Sequence, residues 1–290
     1  MTAASPPLAR RRLLVPARLS ASRALVAVAV ALLAVVAAAA VLAPVLAPHD
    51  PTAVDLLAAN APASATHPLG TDQNGRDILS RLLFGARSSL VGPAIVVAAS
   101  MALGVLLALA GAWYGGWVDA AAARVVDVVF AFPGLVLAIV AATMFGTGFV
   151  APVVALSVAY VPVIARVVRA AALHERHLPY VAALRLQGVS TPRIWLRHLL
   201  PNLSGLLVVQ AGVGFGYAML DLAAIAYLGL GPQPPSSDWG VMVAEGQSSI
   251  LEGFPQQSLY GSLVVLATVV SLNLVSGALA DRFGVAAVTQ

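Results

Sequence analysis

The sequence predicts an all-α, polytopic membrane protein with six transmembrane helices. Of its 290 residues, 60% are hydrophobic and only 10% are charged, whereas a soluble domain carries about 25% charged residues. Apolar runs close to the roughly 20 residues that a helix needs to cross a bilayer recur along the chain. Arginines cluster in alternate loops between these runs, which is the pattern of the positive-inside rule. These three observations together indicate the fold class.

Six apolar runs predict the transmembrane helices. The first run is longer than the core of a secretory signal, which has about 7–15 residues, and five more runs follow it. We therefore interpret it as a membrane helix. The fourth run is short, and we expect it to continue to about Arg169 with its arginines at the membrane surface. In chain order the runs are 24–47, 90–112, 125–145, 150–165, 203–230 and 259–279.

The arginines predict how the chain is oriented. All 16 basic residues are arginine. Only Arg76, Arg81 and Arg87 lie in the loops 47–89 and 231–257, and the others lie in the tails or in the alternate loops. Because cytoplasmic loops carry the excess of arginine, we expect both termini and the loop between the fourth and fifth runs to be cytoplasmic. The two arginine-poor loops are expected outside.

The residue types that the sequence lacks exclude several chemistries. Without cysteine there is no disulfide, thiolate nucleophile or cysteine-ligated metal. Without lysine the chain cannot form the phosphate-binding loop of an ATPase or a Schiff base. The five histidines are scattered between loops, and the spacing of His174 and His177 is weak evidence by itself. We therefore expect no metal site and no cofactor bound by this chain.

A polar segment, LQGVSTPRIWLRHLLPN at 186–202, interrupts the apolar second half of the chain. Gly188 can adopt a positive φ and end a helix over about 175–187, in which Pro179 is tolerated only if it lies in a first turn or starts a second helix. Ser190 or Thr191 can cap a second short helix with Pro192 at its first position.

This second helix is expected to end at Pro201, with Arg193 and Arg197 on one face. The segment therefore predicts a helix, a glycine corner and another helix in a cytoplasmic loop. Residue chemistry alone leaves two interpretations: a helix pair lying on the membrane surface, or a knob that binds a cytoplasmic partner.

The spacing in this loop resembles the EAA loop of ABC importer permeases, which runs Glu-Ala-Ala, three residues, glycine and a tail ending in Leu-Pro. Residues 182–184 occupy the three opening positions, and Gly188, Leu200 and Pro201 match. Ala182 stands where the family has glutamate. The resemblance implies a coupling loop that contacts a separate ATPase. Its contact residues would be Ala182, Ala183, Gly188, Val189, Ser190, Thr191, Pro192 and Arg193.

Three further blocks resemble the C-type permease subunits of dipeptide, oligopeptide and nickel importers. HPLGTDQNGRDILSRLLFGARSSL at 67–90 is similar to the segment before the second span. YLGLGPQPPSSDWGVM at 227–242 is similar to the outer loop after the fifth span. WYGGWVDAAAARVVDVVFAFP at 113–133 is similar to the cytoplasmic turn and third span. The resemblance extends from about residue 48 to the C-terminus.

The resemblance implies a type I ABC importer permease fold in a bacterial inner membrane. The expected division of the chain is a cytoplasmic tail at 1–23, a first transmembrane helix at 24–47, an outer loop with an amphipathic helix at 48–89, a permease domain at 90–282 that includes the coupling loop 170–202, and a tail at 283–290. The expected partners are a homologous permease, two ATPases that hold ATP and magnesium, and an extracytoplasmic substrate-binding protein.

Several functions stay open at this point. The resemblance favours import of di- and oligopeptides, with nickel or another small solute as the alternative within the family. An ion-coupled secondary transporter is less favoured because the spans contain little charge, and a membrane-embedded enzyme because the spans hold no histidine-rich or paired-acid cluster.

Asp221 lies within the fifth run, and an intramembrane acid is a functional-site candidate by default. It could line the pathway and meet a peptide amino group, or it could make a hydrogen bond between helices or lie near the wet interface.

Other charged residues are expected to have structural roles. Asp119, Arg124 and Asp127 are expected to pair at the cytoplasmic end of the third span. Arg76, Asp77 and Arg81 are expected on the outer amphipathic helix, either as a scaffold against the partner permease or the binding protein or as a solvated ion-pair cluster. Trp239 is expected to anchor at the membrane interface, with contact to a binding protein as the alternative.

Overall fold

A computed structural model describes residues 23–284 of the chain. The arginines predicted for the N-terminal tail before Arg23, and all but the first two residues of the predicted C-terminal tail, lie outside the described residues. Within the described range the chain is helical and has no β-strand, and one isolated antiparallel bridge joins Thr71 to Asp77.

The described helices are numbered in chain order. They are α1 (Arg23–Leu46), α2 (Ile78–Tyr114), α3 (Gly116–Phe130), α4 (Gly134–Phe145), α5 (Val150–Arg176), α6 (Pro179–Leu186), α7 (Thr191–Ile194), α8 (Leu200–Tyr227), α9 (Trp239–Glu245), α10 (Gln247–Leu251) and α11 (Gln256–Phe283). A 3₁₀ turn covers Leu56–Ala58, and a π-helical segment, Trp195–Leu199, joins α7 to α8.

Within residues 23–284, five helices are long and apolar enough to cross a membrane: α1, α2, α5, the continuous stretch Thr191–Tyr227, and α11. The third predicted span, 125–145, is not a single helix. It is the pair α3 and α4, whose axes meet at 75°. Pro133 explains the break, because proline has no N–H to continue a helix and disfavours helical geometry in the residue before it.

α2 has 37 residues and begins earlier than the second apolar run. The amphipathic helix predicted in the loop 48–89 is in fact its first turns. Asp77 is the N-cap, and its side chain accepts a hydrogen bond from the Ser80 N–H at 2.8 Å. The prediction that Arg76 and Asp77 lie on that helix is therefore wrong, because the cap and the residue before it are outside the helix.

α2 and α5 form a close helix pair at the centre of the bundle. A Cβ atom on Gly104 would lie 2.8 Å from the Cβ of Ile164, so only glycine permits this approach. Small residues that let helix backbones come close are typical of membrane helix interfaces. We refer below to the two ends of the bundle as the Asp77 end, where α2 begins, and the Gly188 end, where it finishes.

Apolar side chains also cover much of the outside of the bundle. Val28, Val35, Val41 and Val45 of α1 are exposed. A helix with this surface is unfavourable in water and suited to hydrocarbon, where all its backbone hydrogen bonds stay within the helix. The surface therefore agrees with the composition of the sequence.

Candidate functional site

The polar loop at the Gly188 end has the predicted helix and glycine corner. α5 ends at Arg176, and α6 begins at Pro179, so this proline lies in a first turn. Gly188 has a φ of +72°. Its N–H donates to the Arg185 carbonyl at 3.0 Å, and the Val189 N–H donates to the Leu184 carbonyl at 3.1 Å. These two bonds form a Schellman motif, which satisfies the last carbonyls of α6.

The second half of the loop differs from the prediction. The helix that starts at Thr191 does not end at Pro201 but continues through the π-helical segment into α8. In that segment the Leu200 N–H donates to the Trp195 carbonyl, five residues back. The wider turn accommodates Pro201, which has no N–H and whose ring would otherwise press on the preceding turn. Ser190 is the N-cap residue, but its side chain makes no capping hydrogen bond.

The side of the loop that faces the membrane helices is packed into an apolar cluster. Val181 of α6 and Ile194 of α7 are buried against Leu109 of α2 and Val168 of α5. A polar contact supports the same junction, because the Tyr180 hydroxyl donates to Glu175 at 2.8 Å. The loop is thus fixed to the ends of two membrane helices.

An aromatic clasp adds a second attachment. The guanidinium of Arg185 lies 3.9 Å from the ring centroid of Trp113, which is a cation–π contact. The ring of Trp195 meets Trp113 and Tyr114 edge to face. Arg176 also donates to the carbonyls of Ala112 and Trp113. These contacts hold the loop to the last turn of α2, so the loop and α2 are expected to move together.

The side of the loop that faces away from the membrane helices is largely exposed. Of the residues predicted to contact an ATPase, Val189 and Thr191 are half-buried, and the others are exposed: Ala182, Ala183, Gly188, Ser190, Pro192 and Arg193. Sequence reasoning missed Leu186, whose residue surface is 90% exposed at the end of α6. Its type predicted burial, and only the position of the glycine corner shows that it points away from the bundle.

Asp221 lines a cleft of about 390 Å³ between α5, α8 and the break between α3 and α4. Its Oδ2 accepts a hydrogen bond from the Tyr160 hydroxyl of α5 at 2.9 Å. Pro133 and Tyr217 are among the other lining residues. The arrangement contains both features that the sequence left open, since the carboxylate faces a cleft and also joins two helices.

The acids of α3 pair with α5 and not with Arg124. Asp119 binds Arg169 through both carboxylate oxygens, and Asp127 binds Arg166 at 2.9 Å. The prediction of ion pairs at this end of the third span is thus right in kind but wrong in its basic partner. Arg124 is exposed on α3.

An ionic network is buried at the Asp77 end. Oδ2 of Asp72 lies 2.6 Å from Nε of Arg76 and 2.6 Å from Nη1 of Arg81. Oε2 of Glu245, far along the chain in α9, lies 2.9 Å from Arg76 and 2.6 Å from Arg81. The solvated alternative is wrong, because the Arg81 side chain is fully buried. The network joins the start of α2 to α9 within the chain, and the predicted scaffold against a partner permease or binding protein stays a prediction.

Trp239 is part of the core at this end. It is 1% exposed, and its Nε1–H donates to the Leu82 carbonyl at 3.0 Å. Gly85 makes room for it, since a Cβ there would lie 2.7 Å from the indole Cδ1. The predictions of a membrane anchor and of a contact with a binding protein are therefore both wrong.

Two histidines that are distant in sequence also meet at the Asp77 end. His49 and His67 approach the carboxylate of Asp77, and the three side chains offer ligand atoms within 4.8 Å of one another. Sequence reasoning missed this cluster, because its members come from separate segments. His174 and His177, which are three residues apart, do not take part in it.

The family described as "Binding-protein-dependent transport system inner membrane component" matches residues 79–285. The chain belongs to this family. It is therefore a transport subunit and not an ATPase, and it is a multi-pass protein of the inner membrane. The match covers α2 to α11 and so includes the polar loop, the cleft, and Arg81 and Glu245 of the ionic network.

Curated relatives of this transport-system component agree with the match. The glutathione transport system permease protein GsiD of Pectobacterium atrosepticum is 37% identical over 77% of this chain and 73% of its own. The dipeptide transport system permease protein DppC of Alkalihalophilus pseudofirmus is 34% identical over 75% and 71%. The di/tripeptide transport system permease protein DppC of Pseudomonas aeruginosa is 38% identical over 73% and 70%.

Proposed function

We propose that this permease is the transmembrane subunit of an ATP-driven ABC importer of di- and oligopeptides. Two of the relatives named above are permeases of dipeptide and di/tripeptide systems, and a third, in Escherichia coli, carries the name of a D,D-dipeptide system. The observation that carries the proposal is the loop at the Gly188 end. It is packed against α2 and α5 on one side, and its other side is exposed. This is the form expected of a part that transmits movement from a partner to membrane helices.

The proposed partners follow from what the chain lacks and from what it exposes. The sequence has no lysine and therefore no phosphate-binding loop of its own, so two separate cytoplasmic ATPases supply ATP hydrolysis with magnesium. A second homologous permease completes the pathway, and an extracytoplasmic binding protein delivers the substrate. Both termini lie in the cytoplasm in this proposal, because the arginine-rich loops and the Gly188 end share one side.

In the proposed mechanism, ATP binding closes the two ATPases and displaces the loop. The apolar cluster around Val181 and the clasp between Arg185 and Trp113 make α6 and α7 move with α2 and α5. The helices then rock between inward-facing and outward-facing states. Such coupling requires two separate sites and two global states that each site favours differently.

The same proposal gives Asp221 a role in the pathway. Its cleft borders the break between α3 and α4 and contains a carboxylate among aromatic side chains. A carboxylate in low dielectric is a suitable partner for the ammonium group of a peptide N-terminus. Contact with the substrate therefore occurs at the Tyr160–Asp221 pair.

The substitution Gly188→Asp tests the coupling role. No described atom lies within 4 Å of a Cβ at Gly188, so the first atom of the added side chain has no close contact within the described part of the chain. The backbone strain is about 1–2 kcal/mol, which leaves the chain folded. We expect the variant to reach the membrane, to lose its ATPase subunits in affinity purification, and to lose at least about tenfold in uptake of labelled peptide.

Gly229→Asp is a matched control. Gly229 has a φ of +76° with no described atom within 4 Å of a Cβ, and it ends α8 with the same pair of hydrogen bonds, at 3.0 and 3.1 Å. It lies at the opposite end of the bundle, so this variant should keep its ATPases. If Gly188→Asp retained both ATPases and uptake at normal expression, the coupling role would be wrong. Loss of nickel uptake, with uptake of di- to oligopeptides retained, in the corresponding deletion strain would contradict the peptide substrate.

A further inference from the structure

Two imidazole rings converge on a single carboxylate oxygen at the Asp77 end. His49 follows the end of α1, His67 lies in the next loop, and Asp77 caps α2. Oδ1 of Asp77 is 3.0 Å from Nδ1 of His67 and 4.0 Å from Nδ1 of His49. The rings are stacked with their centroids 4.6 Å apart, so both Nδ1 atoms lie near the same oxygen.

Ser80 fixes the orientation of the carboxylate. Its N–H donates to Oδ2 of Asp77 at 2.8 Å, and its hydroxyl donates to the same atom at 2.7 Å. These bonds occupy Oδ2 and leave Oδ1 directed at the histidines. The His49 backbone N–H donates to the Ser80 hydroxyl at 3.1 Å, which holds the segment after α1 against the same turn. Groups that orient a ligand in this way are typical of metal sites.

A hydrogen bond explains only half of this arrangement. The 3.0 Å contact of His67 is within hydrogen-bond range, whereas the 4.0 Å separation of His49 is too long. A tetrahedral zinc ion with bonds of about 2.0–2.2 Å places neighbouring ligand atoms about 3.3 Å apart. The two observed separations lie on either side of that value. The His49 side chain is 40% exposed, so its ring has room to close the difference.

The donor set selects the class of ion. Two imidazole nitrogens and one carboxylate oxygen suit zinc and its first-row neighbours, whereas calcium and magnesium prefer oxygen alone. The side chains of His49 and His67 are 40% and 22% exposed, so an ion can enter from solvent and a water molecule can complete the coordination shell.

We propose that His49, His67 and Asp77 form a binding site for a divalent first-row transition metal, with Zn²⁺ as the ion that fits best. The ion joins the segment after α1 to the first turn of α2 and so fastens the outermost helix of the chain to the central one. The site is distant from Gly188 and does not depend on the proposed transport function.

The test uses the full chain in lipid nanodiscs, purified without a polyhistidine tag and titrated with Zn²⁺ against a chromogenic chelator. The absence of cysteine removes the strongest competing ligands. We expect about one Zn²⁺ per chain. His49→Ala, His67→Ala and Asp77→Asn should each weaken Zn²⁺ binding by at least about tenfold. Asp77→Asn preserves the helix cap, because asparagine is an equally good N-cap residue.

His174→Ala and His177→Ala are the matched controls, since both are exposed histidines outside the cluster, at and just after the end of α5. They should bind Zn²⁺ as the unsubstituted chain does. In thermal unfolding, Zn²⁺ should raise the Tm of the unsubstituted chain and of the controls, but not of His49→Ala or His67→Ala. The proposal is overturned if the unsubstituted chain binds no Zn²⁺ at micromolar concentration. It is equally overturned if the folded Asp77→Asn and His67→Ala variants bind Zn²⁺ unchanged.

Discussion

The carboxylate of Asp221 combines two properties that are separable at the scale of single atoms. Its charge faces the cleft, and its Oδ2 accepts the hydrogen bond from Tyr160. Asparagine keeps an acceptor oxygen but removes the charge, whereas phenylalanine in place of Tyr160 removes the donor but keeps the charge. Substitution of each residue therefore isolates one property.

If the charge meets the substrate, Asp221→Asn should lower uptake of peptides with a free amino terminus by about tenfold or more, since a hydrogen bond to a charged group contributes about 1.5–3 kcal/mol. Uptake of the N-acetylated peptides should change much less. Tyr160→Phe should leave the preference between the two peptide classes intact. The measurement is competition between labelled free and acetylated dipeptides in whole cells. Unchanged uptake and preference in Asp221→Asn would remove this residue from the pathway.

Single residues also show which parts of the site were predictable. Gly188 and Pro179 were predicted correctly because turn and cap chemistry depends on a few neighbouring residues. The burial of Trp239 was not predictable, because it depends on Gly85 and on the Leu82 carbonyl, more than 150 residues earlier in the chain. The same limit applies to His49, His67 and Asp77, whose approach requires the loop between α1 and α2 to fold back.

At the scale of helices, the contact between α2 and α5 depends on Gly104. The Cβ of an alanine there would lie 2.8 Å from the Cβ and 2.9 Å from the Cγ2 of Ile164. Both are atoms of a β-branched side chain, which has little freedom to move away. The helices must separate to accept the methyl group.

We expect Gly104→Ala to destabilise the chain by about 1–3 kcal/mol, as overpacking of a close contact does. Gly277→Ala on α11 should instead stabilise the chain. No described atom lies within 4 Å of a Cβ at Gly277, so alanine there should gain up to about 1 kcal/mol from helix propensity alone. Thermal unfolding of both variants in detergent measures the difference. Equal Tm values for the two variants would show that Gly104 does not control the packing.

The lengths of helices were predicted less well than their existence. Apolar runs identify spans because the bilayer demands about 20 apolar residues, and each of the six runs corresponds to a described helix or to the bent pair. The runs do not show where polar turns extend a helix. α2 begins twelve residues before its run, at Ile78. The helix from Thr191 continues past Pro201 because the π-helical segment accommodates the proline, and a rule that depends on single residues predicts a stop there.

At the scale of the whole molecule, the network of Asp72, Arg76, Arg81 and Glu245 connects the start of α2 to α9. Two guanidinium groups and two carboxylates balance in charge, which makes their burial tolerable. Removal of one member leaves an uncompensated buried charge, and breaking a buried pair in this way costs about 3–5 kcal/mol.

Arg81→Met should therefore lower the Tm of the chain strongly and release α9 from α2. Arg87→Met is the matched control, because Arg87 lies on the same helix but is exposed, and its loss should change the stability by about 0.5 kcal/mol at most. Thermal unfolding reports the overall effect, and protease cleavage in the segment 229–238 reports the release of α9. An Arg81→Met chain as stable as the Arg87→Met chain would mean that the network contributes no net stability.

The sequence identified the family pattern and the membrane spans but not this network. The positive-inside rule counts arginines by loop, and it treats Arg76 and Arg81 as minor exceptions outside. Their burial depends on Glu245, whose position beside them follows only from the packing of α9 on α2. A buried charged residue cannot be distinguished from an exposed one by sequence alone, because the difference depends on tertiary contacts.

α2 links two features that lie far apart. Its 37 residues, with Pro93 inside the helix, span at most about 55 Å at 1.5 Å per residue, and the helix has the ionic network at one end and the Trp113–Arg185 clasp at the other. A helix that is attached to other elements at both ends can transmit a change of tilt from either end to the other. If, as proposed, nucleotide binding by an ATPase at the Gly188 end reorients the far end of α2, then binding of a loaded substrate-binding protein at the Asp77 end must change the affinity for nucleotide by the same free energy, since coupling between binding equilibria is reciprocal. The permease would then couple the presence of substrate outside to nucleotide binding inside, in addition to forming the transport pathway.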